Sequence, residues 1–177
     1  MAKNIIILGK PNAGKSSLLN AFLGKQVAVV NNFEGLTRDL KKIELIINEN
    51  IYNVVDSPGI TRCKNLLEKE IKKKTISLLK KCNLILLVID GKQSLTSEDI
   101  EIFKVARKSK KHTLLIINKT EGKINDTTYS ECCNLGFGLP IKVSTAHMQG
   151  IENLKNLISE ILPCNNSDKS LKEIQKL

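Results

Sequence analysis

The stretch GKPNAGKSS, residues 9–17, spaces two glycines, a lysine and a serine as GxxxxGKS, directly behind the apolar run of residues 4–8. A helical pattern from Lys15 to Leu23 follows, and strand, loop and helix in that order are the context a phosphate-binding loop requires. Gly9 and Gly14 let backbone N–H groups curl around phosphate oxygens, and the helix N-terminus adds its dipole. Lys10, Pro11, Asn12, Ala13 and Ser17 complete the loop, Lys15 reaches the β and γ oxygens, and the Ser16 hydroxyl is a ligand for Mg²⁺. This much specifies a nucleoside triphosphate and leaves the base open.

The second chemical element is VVDSPG, where Asp56 ends an apolar run and is followed by Ser57, Pro58 and Gly59. A carboxylate at a strand end holds Mg²⁺ through water, and a glycine just after it presents its N–H to the γ-phosphate. Between the two lies the polar stretch NNFEGLTRDL, whose Thr37 hydroxyl is a further Mg²⁺ ligand when the γ-phosphate is present; taken alone, such a threonine is also an ordinary loop residue. The base is addressed by LLIINKTE, residues 114–121. Asn118 pairs with the guanine edge, the Lys119 stem lies over the ring, and the Glu121 carboxylate accepts from N1 and the exocyclic amine. Adenine offers no such donor pair, so this element argues against an adenine-specific kinase or ATPase. The segment KVSTAHMQG supplies backbone N–H groups of Ser144, Thr145 and Ala146 for the guanine carbonyl.

These loops need strands to carry them. Apolar runs at 4–8, 84–90, 113–118 and 140–143 are nearly continuous in Ile, Leu and Val, as strands buried on both faces of a parallel sheet must be. Helical patterns alternate with them: Lys15 to Leu23, Leu66 to Lys81, Ser97 to Ser109, a weaker one over Asp126 to Asn134, and Ile151 to Leu162, which Pro163 ends. The last sets Ile151, Leu154, Leu157, Ile158 and Ile161 on one face. The pair 43–48 and 51–56 is joined by a connection too short for a crossover helix and reads as an antiparallel hairpin at a sheet edge. The expected fold is a doubly wound α/β domain: a mostly parallel six-stranded sheet, one antiparallel edge strand, and helices on both faces. It occupies residues 1–162; residues 163–177, polar and unpatterned, read as a linker or flexible tail.

The chain has 177 residues with 41% hydrophobic content, which suits one domain with a sizeable core. No apolar run approaches the roughly 20 residues of a membrane span and no signal peptide is present, so a cytoplasmic protein without membrane contact is expected, as a monomer. Five cysteines form no CxxC pair and read as free packing thiols. A net charge of +10 favours polyanionic partners, but aromatics are 3% of residues, which leaves phosphates rather than stacked bases as the contact. From Thr61 to Lys81 eight Lys or Arg face two Glu, either an RNA or partner surface or a solvated helix face. His112 and His147 have no carboxylate in sequence reach and are assigned no catalytic part.

In this order GKPNAGKS, EGLTRD, DSPG, NKTE and STAHMQGI resemble the signature segments of the translation-factor GTPases, in the group that holds Era, MnmE and Der. EGLTRD, the stretch DGKQSLTSEDIEIFKVARKSKK and GFGLPIKVSTAHMQGI look most like the first GTPase domain of the Der (EngA) family, bacterial tandem-domain GTPases of large-subunit assembly. The resemblance runs from Ile5 to Leu162. It implies a Ras-like P-loop fold, GTP and GDP as ligands, Mg²⁺ as cofactor, and ribosomal RNA or the large ribosomal subunit as partner of the full-length protein. Three departures stand out: Glu121 where Asp is usual, Ser57 where Thr is usual, and a length that leaves out the second GTPase domain and the KH-like domain. The length suits a fragment of a longer tandem-GTPase protein.

Ras-like GTPases place a Gln after the DxxG glycine to orient water, and here that position is Ile60. Catalysis then draws on Lys15, Asn12, Thr37 and Gly59. In the related GTPases an Asn at the Asn12 position helps to hold K⁺ between the phosphates, with first-switch carbonyls around Phe33 to Gly35 closing the shell; the other reading of Asn12 is a turn former. Mg²⁺ falls to Ser16, Thr37 and Asp56, and K⁺ to Asn12. Arg38 and Arg62 are alternative local cations. Hydrolysis is expected to be slow in isolation, and the competing expectation is a guanine-nucleotide binding module with negligible turnover.

Overall fold

A computed structural model describes residues 3–24, 41–56, 75–122 and 124–163. Thr37, Arg38, Ser57, Pro58, Gly59, Ile60, Arg62, most of the lysine-rich stretch and the tail beyond Pro163 lie outside the described residues, as does the side chain of Asp56.

Six strands form one sheet in the order β2-β3-β1-β4-β5-β6: β1 Lys3–Leu8, β2 Lys41–Ile47, β3 Asn50–Asp56, β4 Leu84–Asp90, β5 His112–Asn118 and β6 Ile141–Lys142. Every ladder is parallel except β2 with β3. The helices are α1 Lys15–Leu23, α2 over the described residues 75–81, α3 Ser97–Lys108, α4 Asp126–Cys133 and α5 Ile151–Ile161. The doubly wound fold, the antiparallel edge, the positions of α1, α3, α4 and α5 and the end of α2 follow the sequence pattern, while residues 66–74 of the expected second helix lie outside the described residues.

The central strands are apolar on both faces because each face has its own core. Along β1, Ile5 and Ile7 join one cluster and Ile6 and Leu8 the other; along β4, Leu84, Leu86 and Val88 alternate in the same way with Ile85, Leu87 and Ile89. The first cluster takes Leu18 and Phe22 of α1 with Leu154 and Ile158 of α5, and the second takes Leu79 of α2, Phe103 of α3 and Cys132 of α4. Burying each such side chain contributes about 1.5–3 kcal/mol, so a slip of one residue in register would exchange two complete cores.

The differences from expectation are small and local. Asn48 and Glu49 both take positive φ, 48° and 65°, so the hairpin closes through a two-residue turn of the mirror-image type and Asn50 already belongs to β3. β6 is two residues long, since Pro140 has no N–H to give the ladder, although the Val143 N–H still donates to Ile117 O at 2.8 Å. On α5, Ile151, Leu154 and Ile158 are buried while Leu157 and Ile161 are only partly so, and Leu162 forms the C-cap. Cys82 and Cys132 are buried free thiols, and burial first of all pushes the Cys132 thiol up to about 12. They act as small apolar residues.

Candidate nucleotide site

The chain leaves β1 toward β3 on one side of the sheet and returns to β4 on the other, so the C-terminal end of β1 is the topological switch point where α/β sheets bind ligands. The loop of residues 9–14 occupies that end. A Cβ at Gly9 would stand 2.5 Å from Val88 O, which shows how tightly the loop lies on β4. Gly14 takes φ 95° at the N-cap of α1, and a Cβ there would stand 2.1 Å from Asn118 Nδ2. Without a side chain Gly14 cannot cap α1, and no acidic residue occupies the first turn. By contrast α3 carries a capping box, Thr96 with Asp99, and the Asn125 side chain accepts from the Thr127 and Thr128 N–H groups of α4. The N-terminus of α1 is therefore suited to an external anion.

Inside the loop Lys15 is buried, and its Nζ donates to Lys10 O at 2.9 Å. Pro11, Asn12, Ser16 and Ser17 are exposed, and Ala13 is buried. Asn12 has φ 64°, a conformation that Asn adopts more readily than most residues, so its turn-forming part is visible in the backbone. The Lys10 side chain points the other way: its Nζ donates to Asp99 Oδ2 at 3.0 Å in an ion pair whose side chains are 9% and 2% exposed. The same oxygen accepts from the Thr96 N–H at 2.9 Å and Thr96 Oγ1 at 2.7 Å. Lys10, assigned from sequence to the nucleotide, thus ties the loop to the start of α3. Asp99 was not singled out from sequence; TSED does announce a capping box, but nothing local says that it meets a residue 89 positions away.

The loop assigned from sequence to the base follows β5. Asn118 is fully buried and spans two loops: its Nδ2 donates to Ala13 O at 3.2 Å, and its Oδ1 accepts from the Thr145 N–H at 3.2 Å. Lys119 has φ 65°, a left-handed conformation that costs about 1–2 kcal/mol in a residue with a Cβ. Its Nζ is bound to Asp90 Oδ2 at 2.7 Å, so the stem is anchored at the far end by a carboxylate that is 3% exposed. Glu121 Oε1 accepts from Lys92 Nζ at 2.6 Å and Oε2 from Ser144 Oγ at 2.7 Å. Donation by Lys92, then by Ser144, lowers the Glu121 carboxyl to about 2.

The β6–α5 loop meets this one from the side. The Ser144 N–H donates to Gln149 O at 3.0 Å and the Thr145 N–H is held by Asn118, while Ala146 is exposed. Between α1 and this loop lies a depression of about 460 Å³ lined by Ser17, Asn20, Ala21, Gly24, Thr145, Ala146 and Met148. Three of these were assigned to the nucleotide from sequence. Asp56 closes the group as the last residue of β3, opposite Ile7 in the ladder and so beside the root of the phosphate loop. Asp90 and Lys92 were missed by the sequence reading; their signal is position, since Asp90 ends β4 and Lys92 lies two residues beyond it, at the same sheet end as the phosphate loop.

Fold and loops together define a P-loop GTPase domain. The chain matches the family described as 50S ribosome-binding GTPase over residues 4–119, and it belongs to that family. It is 36% identical over 161 residues to the GTPase Der of Kosmotoga olearia, covering 89% of this chain and 36% of that protein. With the GTPase Der of Ruegeria sp. it shares 34% identity over 174 residues, covering 98% of this chain and 35% of that protein. The chain therefore spans about a third of the length of these relatives. Among solved structures it is similar to a single-substitution variant of Aquifex aeolicus Era bound to GDP and AlF4⁻, with a TM-score of 0.76 and 25% identity, covering 93% of this chain and 58% of that one. It is also similar to Era in complex with MgGDPNP and nucleotides 1506–1542 of 16S ribosomal RNA, with a TM-score of 0.77 and 26% identity over the same shares. The G domain of the T. maritima FeoB iron transporter, at 23% identity and a TM-score of 0.69, shares the fold. Among the described residues no helix is long and apolar enough to cross a membrane.

Proposed function

We propose that this chain binds GTP and GDP through the residues assigned above and hydrolyses GTP as the G domain of a cytoplasmic, monomeric protein that acts on the large ribosomal subunit. The observation that carries the reading is Asn118, whose one buried amide joins the phosphate loop to the loop before α5 while Glu121 stands in the same turn as a charged acceptor. A site built to meet two donors with a carboxylate rejects a base that lacks them, because the mismatch leaves polar groups unpaired.

Backbone N–H groups of residues 12–17 and the Lys15 ammonium hold the phosphates and stabilise charge as it develops on the β,γ-bridge. The hydroxyls of Ser16 and Thr37 and the carboxylate of Asp56 are hard oxygen donors that suit Mg²⁺, with Asp56 brought beside the loop by the β1–β3 register. When bound, Mg²⁺ neutralises charge shared between β and γ oxygens. Gly59 supplies its N–H to the γ-phosphate. Ile60 cannot orient water, so the carboxamide of Asn12, exposed at the loop, is the group that would hold a K⁺, which would supply the positive charge that an arginine finger supplies elsewhere. Ribosomal RNA as partner is supported by the family's description, by the Era complex and by the net charge of +10.

Competition with labelled GDP and single-turnover hydrolysis test this. GTP and GDP should compete and ATP should not; hydrolysis should be faster in K⁺ than in Na⁺, and Asn12→Ala should lose that difference. Equal rates in both salts for the parent chain would remove K⁺, and no turnover in either salt would leave a binding module.

A further inference from the structure

Glu121 is one methylene longer than the aspartate usual at its position, and a longer carboxylate has an extra torsion to fix before it can meet two donors at once. The structure fixes it from both sides. Lys92 Nζ lies 2.6 Å from Oε1, and Ser144 Oγ lies 2.7 Å from Oε2. A carboxylate has about four acceptor positions, two per oxygen, and these contacts together with the bond from Glu121's own backbone N–H do not exhaust them. Guanine offers two donors on the edge that faces such an acceptor, N1–H and the N2 amine.

Lys92 is itself held in place. Its N–H donates to Asp90 Oδ1 at 2.9 Å, and Asp90 Oδ2 receives Lys119 Nζ at 2.7 Å, so one buried carboxylate fixes both the ring-covering lysine and the backbone that carries Lys92. The turn lies flat on the end of β5: the Gly91 N–H donates to Asn118 O at 2.8 Å, and a Cβ at Gly91 would stand 2.7 Å from Ile117 Cγ2. The Lys92 ammonium therefore starts from a rigid base although its side chain is 49% exposed.

We propose that Lys92 is a specificity-determining positioning residue, which clamps the Glu121 carboxylate so that a glutamate can read the N1–H and N2 amine of guanine. This rests on the guanine-binding reading above. An aspartate at position 121 would draw the carboxylate back by roughly one C–C bond length, about 1.5 Å, beyond the reach of Lys92. Lys92 then matters only in the company of Glu121.

The test is a set of affinities for GDP and IDP, measured on the 177-residue chain by displacement of a fluorescent nucleotide. IDP keeps the phosphates, ribose and N1–H of GDP and lacks only the N2 amine. Lys92→Met should lower the preference for GDP over IDP by about threefold to tenfold, the scale of a weakened charge-assisted hydrogen bond, with IDP, which keeps the N1–H contact alone, losing less affinity than GDP. Lys92→Arg should restore most of the preference, and in a Glu121→Asp background Lys92→Met should change nothing. A Lys92→Met variant that keeps the parent preference, or that loses GDP and IDP affinity by the same factor, overturns the inference. Glu121→Gln separates that failure from failure of the underlying reading. If Glu121→Gln abolishes the preference while Lys92→Met leaves it, only the clamp is wrong; if Glu121→Gln also leaves it, the guanine reading of Glu121 falls and the clamp with it.

Discussion

Removal of Asp99 should show how much of the phosphate loop's framework depends on one buried ion pair. In Asp99→Ala the Lys10 ammonium loses its partner at 3.0 Å, and its side chain is only 9% exposed. Breaking a buried pair by deleting one member typically costs about 3–5 kcal/mol, because the surviving charge stays desolvated. The substitution also removes the capping box of α3, worth about 1 kcal/mol. The expected loss is about 4–6 kcal/mol, of the order of 10–20 °C in Tm for a chain of this size. Lys10→Met should be milder, about 1–2 kcal/mol, since Asp99 Oδ2 keeps the Thr96 N–H and hydroxyl as donors. Adding Lys10→Met to Asp99→Ala should then recover about 2–4 kcal/mol by removing the stranded charge, a coupling that urea unfolding of the four proteins without nucleotide measures. A double variant no more stable than Asp99→Ala would refute the reasoning, because it would mean that the lysine head escapes to water once unpaired.

Two further predictions concern the loops around the base. Gly14→Ala must relieve both φ 95° and a Cβ 2.1 Å from Asn118 Nδ2, so it should break the Asn118 bond to Ala13 O and weaken GDP binding at least tenfold, read by nucleotide displacement; retention of parent affinity would show that the two loops are not coupled there. The Glu121 carboxyl sits at about 2, below its usual 4.5, through Lys92 first and Ser144 second. A lowered acid contributes its interaction above the ordinary value and loses it only as pH falls through the lowered one, so in the parent the Glu121 side-chain carbon shift should stay flat from about pH 6 to pH 4. In Lys92→Met it should move within that window; Ser144, and the Lys119–Asp90 pair beyond Lys92, remain in place.

How much of this is legible in the sequence depends on the range over which each signal acts. The phosphate loop can be read because its function is mostly backbone, and the backbone demands glycine at fixed positions: Gly9 against Val88 O and Gly14 at φ 95°. The strands can be read because burial on two faces forces continuous Ile, Leu and Val. The hairpin lies where the pattern puts it, but its two-residue turn falls one residue earlier than the pattern suggests, because positive φ at Glu49 has no signal in a glutamate. The ion pairs are not readable at all. Lys10 with Asp99, Lys92 with Glu121 and Lys119 with Asp90 join residues 29 to 89 apart in a chain with many lysines, and only the sheet order brings each pair to one edge. Motifs assign Lys10 and Lys119 to a ligand, while the structure also gives each ammonium a protein carboxylate.

Those carboxylates point to why the site holds together without side chains meeting directly across the phosphate loop. Asn118 links the loops before α1 and before α5, and it does so with a donor at one end of its amide and an acceptor at the other. A leucine of similar size would leave the Thr145 N–H and Ala13 O without that partner, and an aspartate would set an oxygen against the Ala13 carbonyl. Either change loosens phosphate and base contacts together, at a cost of about 1–3 kcal/mol for each buried group left unpaired. Asp90 works in the same way one strand over, since its two oxygens serve Lys119 and the backbone of Lys92, and through Lys92 it reaches Glu121. The ends of β4 and β5, neighbours in register at Asp90 and Asn118, thus hold the loops assigned to phosphate and base through two buried polar side chains. A change at Asn118 should therefore alter phosphate and base binding at once, whereas a change at Asp90 or Lys92 should act on the base alone.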